Sequence, residues 1–336
     1  MKRFSCPVCR KEVHFDNSVC LSCEAALAFD SDAIRFAALS RDTQSPRPCA
    51  NRDVAGCNWL ARDGTKFCPA CMHNRTIPDT SDPGKVANWR AIEQAKRYLF
   101  YSLLRWGLPH PLRSDEVPDG LAFDFLADSA APDAPSVLTG HADGLVTLNI
   151  AEGDDAEREA RRTAMGEPYR TLIGHMRHEV GHYYWQVLVR DAGRLDSFRD
   201  LFGDDRQDYG EALKRHYAQG PRPDWRDSFI SSYASAHPWE DFAETWAHYI
   251  HIVDSSETAH AFGMSLRDRT GGDVEMDTDP YRRGTLAETL EDWVPLTVAM
   301  NAINRSMGQP DLYPFVLSDA VERKLGFIHD LIHAGR

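Results

Sequence analysis

His178, Glu179 and His182 spell His-Glu-x-x-His inside residues 174–185, GHMRHEVGHYYW. On an α-helix, positions i and i+4 lie one above the other, so the two imidazoles can meet at one metal ion. Glu179 projects about 100° round such a helix, where its carboxylate can reach a water on that ion instead of the ion itself. Zn²⁺ acidifies a bound water, and a carboxylate that takes its proton leaves a nucleophile for hydrolysis. Leu172, Ile173, Met176, Val180, Val187 and Leu188 surround the motif with apolar bulk. A His-Glu-His set placed among them would be costly without partners, and a metal supplies them.

A catalytic zinc normally takes three protein ligands and leaves one position open. The metzincin pattern would put Gly and His three and six residues after His182, where this chain has Trp185 and Leu188. The remaining source is a carboxylate from a second helix. In residues 237–248, HPWEDFAETWAH, Pro238 suits the first turn of a helix reaching about residue 253. Glu240, Glu244 and His248 then fall on one face at i, i+4 and i+8. All three are candidates on spacing alone.

All eight cysteines precede residue 72, in two sets of four. Cys6-x-x-Cys9 and Cys20-x-x-Cys23 form a symmetrical pair of knuckles, each offering two thiolates from one tight turn. Cys49, Cys57 and Cys68-x-x-Cys71 form a less regular set, in which His73 could replace one thiol. Sequential sites are expected over an interleaved pair, because the first four cysteines already complete a tetrahedral set. A segment this small needs such staples to stay folded.

The elements that must position these groups are legible in outline. Residues 75–85 read as a linker and 86–106 as a helix with one apolar stripe. Strands are expected at 121–126, 136–138 and 145–150, the last two flanking a hairpin turn at 140–144 that carries His141. His141 reads as a surface residue. A charge-rich helix at 154–162 leads to the motif helix, which Pro168 would open and Gly193 would follow. The acidic run around Asp204, Asp205 and Asp208 reads as solvated surface and a helix start. Helices at 286–302 and 319–332 close the chain, with Asn301 and Asn304 in capping or turn contacts.

Composition bounds the function. At 336 residues with 42% hydrophobic and 26% charged content, two soluble domains are expected. No run of about 18 apolar residues is present, so no membrane span is expected. The start MKRFSC shows no apolar leader, and with the paired cysteines a reducing cytoplasm is the expected location. Residues 1–80 carry 11 Lys and Arg against 9 Asp and Glu, and the rest of the chain 27 against 42. So acidic a body disfavours nucleic acid and anionic membrane, and favours neutral or cationic substrates.

His-Glu-x-x-His followed by a helical Glu-x-x-x-Glu resembles the gluzincin peptidases. That resemblance implies Glu240 as third zinc ligand and Glu244 as the acid that braces His178. The tract 233–244 is similar to the lethal-factor type of metallopeptidase, which implies that Tyr233 lies over the zinc and helps to hold the oxyanion, with Tyr184 and His237 as rivals for that role. GEPYRTLIGHMRHEVGHYYW and SSYASAHPWEDFAETWAHYIH resemble, over nearly the whole length, a bacterial family of zinc-dependent metallopeptidases with an N-terminal zinc ribbon. The expected fold is α+β and mainly helical, with a double zinc-ribbon module at 1–75 and a zincin-like domain at 76–336. Zincin folds offer an edge strand to an extended substrate, and 145–150 would be that strand. Three Zn²⁺ are expected, one catalytic and two structural. The reaction would be hydrolysis of a peptide or related amide bond by a metal-activated water. A non-catalytic adaptor, whose ribbons bind a protein partner, is the second expectation, and Glu179 beside an open metal position speaks against it.

Overall fold

The two Cys-x-x-Cys pairs fold as matched knuckles in the computed structural model, which describes residues 1–40, 46–129, 137–165, 171–267 and 274–334. Each knuckle closes the same way. Arg10 and Glu24, the residues after the second cysteines, adopt left-handed φ of 65° and 60°. Their amides then reach back to the carbonyls of Cys6 (3.0 Å) and Cys20 (2.8 Å). Strands β1 (Phe4–Ser5) and β2 (Glu12–Val13) flank the first knuckle, and β3 (Leu27–Asp30) pairs with β4 (Arg35–Ala38) after the second. Beneath them Phe4, Phe15, Phe29 and Trp59 meet ring to ring at 4.9–6.1 Å, a small aromatic core that complements the cysteine staples. The short helix α1 (Arg52–Ala55) separates Cys49 from Cys57, and β5 (Asn74–Thr76) follows Cys71.

The chain divides into two units, Lys2–Met176 and Arg177–Arg336, the latter together with Met1. In the first unit α2 (Pro83–Trp106) starts at an Asp82 cap that accepts from the amides of Gly84 and Lys85, with Pro83 in the first turn. Its buried stripe includes Trp89, Ile92, Leu99, Leu103 and Trp106, and Gly107 ends it at φ 65°. Strands β6 (Ala122–Leu126), β7 (Gly140–Ala142) and β8 (Leu145–Asn149) join β5 in a four-stranded sheet of order β5-β6-β8-β7. Asp143 and Gly144, at φ 46° and 80°, make the β7–β8 turn. A side chain on Gly144 would come within 2.2 Å of the Asp119 carbonyl, so only glycine fits.

Three expectations are corrected here. The strand at 145–150 is not an edge: β8 pairs with β6 on one side and β7 on the other. The residues read as a turn, Gly140 to Ala142, are themselves the outer strand, because the reversal takes only Asp143 and Gly144. The strand expected at 136–138 is absent from its described residues, Val137 and Leu138. Helix α3 (Asp155–Met165) ends the charge-rich stretch. Pro168 lies outside the described residues.

Helix α4 (Leu172–Trp185) carries the His-Glu-x-x-His motif, and the division between the units falls within it. A π-helical turn over Gln186–Arg190 continues it, and Gly193 reverses the chain at φ 70°. Helices α5 (Leu195–Phe202), α6 (Tyr209–Gln219) and α7 (Pro238–Ala261) follow, then the small β9 (Ser265–Leu266) and β10 (Val274–Glu275) pair. Helices α8 (Leu286–Ser306) and α9 (Asp319–His333) close the unit, α8 behind a Thr285–Glu288 capping box. Asn301 holds both the amide and the carbonyl of Tyr313, and Asn304 donates to the Pro310 carbonyl, so both act as turn braces. The described chain is thus α+β and mainly helical. Among the described residues no helix is long and apolar enough to cross a membrane.

The core of the second unit forms where α7 crosses α4 and α5. Tyr184 stacks on Trp246 at 4.7 Å, and Phe242 packs on Phe198 and Phe202 at 6.0 and 5.8 Å. The crossing turns on one glycine. A Cβ on Gly181 would stand 3.0 Å from the Cα of Ala243, so any larger third residue after His178 would push the two helices apart by a few tenths of an ångström.

Candidate functional site

That close crossing sets the two arms of a three-residue cluster against each other. His178 and His182 stand one turn apart on α4, their rings edge to face at 4.9 Å. Glu240 comes from the first turn of α7, which His237 caps by accepting from the Trp239 amide through Nδ1 (3.1 Å). Glu240 is 1% exposed, and its Oε2 lies 3.0 Å from His178 Nε2 and 3.5 Å from His182 Nε2. These three ligand atoms lie within 4.8 Å of one another. Tetrahedral zinc with nitrogen and oxygen ligands at about 2.0–2.1 Å has ligand-to-ligand edges of about 3.4 Å, so the cluster fits that ion.

The surroundings hold the cluster in the required state. Glu244, one turn along α7, takes His178 Nδ1 at 2.7 Å through Oε1 and accepts from the Ser231 hydroxyl through Oε2 at 2.5 Å. A proton on Nδ1 leaves the Nε2 lone pair facing Glu240 and the metal position. Burial opposes charge on both acids, yet the imidazoles outweigh it, holding Glu240 well below the usual carboxylate range and Glu244 at about 2. His182 is backed by the Trp239 ring at 4.0 Å.

Glu179 is buried, and its charge helps to hold the phenols of Tyr209 and Tyr233 in their protonated form. For both tyrosines burial is the larger cause. Tyr233 opens a 3-10 turn ahead of α7 and sets its ring 5.9 Å from that of His178. Its two rivals stand elsewhere. Tyr184 is fully buried in the aromatic core, and His237 is committed to the α7 cap and to the Gln207 carbonyl. His248, the third candidate on the α7 face, bonds the Tyr313 hydroxyl at 2.7 Å and is not in the cluster.

Three residues at this site carry no sequence signal: Tyr209, Ser231 and Trp239. Tyr209 donates to Glu240 Oε1 at 2.5 Å although 31 positions separate them. The acidic run before it is neutralised, Asp204 by Arg206 (2.7 Å) and Asp205 by Arg199 (2.6 Å), and Asp208 caps α6.

The cysteines form two further clusters, sequential and not interleaved: Cys6, Cys9, Cys20, Cys23 and then Cys49, Cys57, Cys68, Cys71. The sulfurs of Cys6 and Cys23 are 3.7 Å apart, and those of Cys9 and Cys20, and of Cys57 and Cys68, 3.6 Å. A disulfide would need about 2.05 Å. Zinc thiolates at about 2.3 Å give tetrahedral edges of about 3.8 Å, which these match. His73 is outside the second set; its Nδ1 meets the Leu121 carbonyl at 2.8 Å. His141 accepts from the Gly144 amide at 3.0 Å as part of its hairpin.

Uncharacterized proteins of Mycobacterium bovis and Mycobacterium tuberculosis are 40% identical over 335 residues, covering 99% of this chain and 95% of each relative. No solved structure matches the chain. Residues 3–82 match a zinc-ribbon domain. Residues 85–331, which contain the His178–His182–Glu240 cluster, match the family described as "putative zinc-binding metallo-peptidase", and the chain belongs to that family.

Proposed function

We propose that the protein is a zinc-dependent peptidase of gluzincin type that cleaves a peptide or related amide bond. The observation that carries this reading is the convergence of His178 Nε2, His182 Nε2 and Glu240 Oε2, braced by Glu244, with buried Glu179 beside it. Those three residues would hold the ion, which when bound acidifies water and polarises a carbonyl. Glu179 takes a proton from water as its oxygen bonds the carbonyl carbon, then delivers that proton to the leaving nitrogen as the C–N bond breaks. Tyr233 donates its phenol hydrogen to the carbonyl oxygen as it gains negative charge. Glu244 keeps the His178 ring in the tautomer that presents Nε2.

The cysteine sets, each with four sulfurs that complete a tetrahedron and leave no open position, serve as structural zinc sites, one ion each. We assign residues 1–75 to this double ribbon and 76–336 to a zincin-like catalytic domain. The ribbon is also the natural place for a protein partner. The direct test is a mixed peptide library treated with zinc-loaded protein and with protein stripped by a chelator. New amino termini that appear only with the loaded form support the reading; none with either form favours an adaptor.

A further inference from the structure

The two oxygens of Glu240 face different ways. Oε2 points at the imidazole nitrogens of His178 and His182, while Oε1 accepts the Tyr209 hydroxyl. Tyr209 is the first residue of α6 and is 38% exposed as a residue, but its hydroxyl reaches a carboxylate on a residue that is 1% exposed. The ring is fixed on both sides, edge to face with His237 at 5.4 Å and with Trp239 at 5.6 Å. His237 and Trp239 flank the α7 start that carries Glu240, and Trp239 also backs His182. A second anchor, His216 on the same helix, meets Tyr233 edge to face at 5.9 Å.

A buried carboxylate whose second oxygen lacks a donor pays desolvation at that oxygen, or rotates so that both oxygens turn to the metal. Either result weakens the site as built, with one oxygen as ligand and one coordination position left open. We infer that Tyr209 is a positioning residue that holds Glu240 as a single-oxygen zinc ligand. This inference rests on the proposed zinc site and adds a residue from a separate helix to it. By this arrangement α6, an exposed element with Ala212 as its one buried residue among those described, reports its position directly to the metal ligand.

The test is zinc affinity of the full chain, measured by competition with a chromophoric chelator after the cysteine sites are loaded. Tyr209→Phe keeps the ring and its packing and removes only the hydroxyl. The expected result is a zinc Kd raised about 10–100-fold at the His178–His182–Glu240 site, the range for losing a partner of a metal ligand. Tyr217→Phe, which removes a hydroxyl from the same helix at a 61% exposed position, should leave that Kd unchanged. A Tyr209→Phe Kd within twofold of wild type overturns the inference, with or without a lower melting temperature, since a packing role moves only the latter. So does equal weakening by Tyr217→Phe. If wild type holds no ion outside the cysteine sites, the proposed zinc site and this inference fall together; if it holds one, only the inference is at stake.

Discussion

Glu244 Oε1 lies 2.7 Å from His178 Nδ1, on the far side of the ring from Glu240. Glu244→Ala removes that acceptor and frees the ring to turn or to change tautomer. Zinc affinity should fall about 10–100-fold, and Ser231→Ala, one bond further out, should cost less. Isothermal titration of the metal-free site against zinc checks both. Unchanged affinity in Glu244→Ala would remove it from the site.

Metal analysis of the purified protein should find three zinc equivalents, one for each cluster. Glu240→Ala, Cys20→Ser and Cys68→Ser should each lose one equivalent, from a different cluster. The cysteine variants should also melt lower, because structural zinc contributes folding free energy outright. Loss of two equivalents in either cysteine variant would mean that the two ribbon sites share ligands.

Much of this site was legible because helical spacing does the work. His178, Glu179 and His182 needed only the 3.6-residue repeat, and Pro238 marked where the helix bearing Glu240 begins. Spacing alone left Glu240, Glu244 and His248 equal; the resemblance to gluzincins favoured Glu240, and in the fold Glu240 is the one of the three that clusters with His178 and His182. Tyr209 was illegible: the first residue of a helix has no pattern that points it at a site, and its partner is 31 residues away. The sheet was misjudged for a local reason. Gly140, His141 and Ala142 look like turn residues, yet their ladder to β8 makes them the edge. Helix α7 also outran its expected end near residue 253, reaching Ala261 through Ser255 and Ser256; Ser255 bonds the His251 and Ile252 carbonyls.

Tyr233 stays a donor at neutral pH, since burial and the charge of Glu240 hold its phenol well above the ordinary value. Tyr233→Phe should lower kcat about 10²-fold or more, with KM and zinc content little changed. Steady-state kinetics on a cleaved peptide, with metal analysis in parallel, decides this. Near-normal kcat in a variant that melts earlier would make Tyr233 a packing residue.

His248 gives the protein an acid limit. Burial lowers its pKa to about 4, against the opposing pull of Glu244. The unfolded chain therefore takes up this proton near pH 6.5 while the folded chain refuses it until about 4. Stability is whole above that window and falls through it, by about 3 kcal/mol in total from this group. Denaturant unfolding of metal-free protein from pH 7 to 4 should show a steeper loss in wild type than in His248→Gln. Parallel curves would contradict it.

Glu179→Gln isolates the chemistry proposed for this cluster. The amide keeps the shape, leaves His178, His182 and Glu240 untouched, and cannot accept the proton from water. Full zinc content and a fall in peptide hydrolysis of about 10²–10⁴-fold relative to wild type are expected. Equal turnover by both proteins at equal zinc occupancy would contradict the proposal.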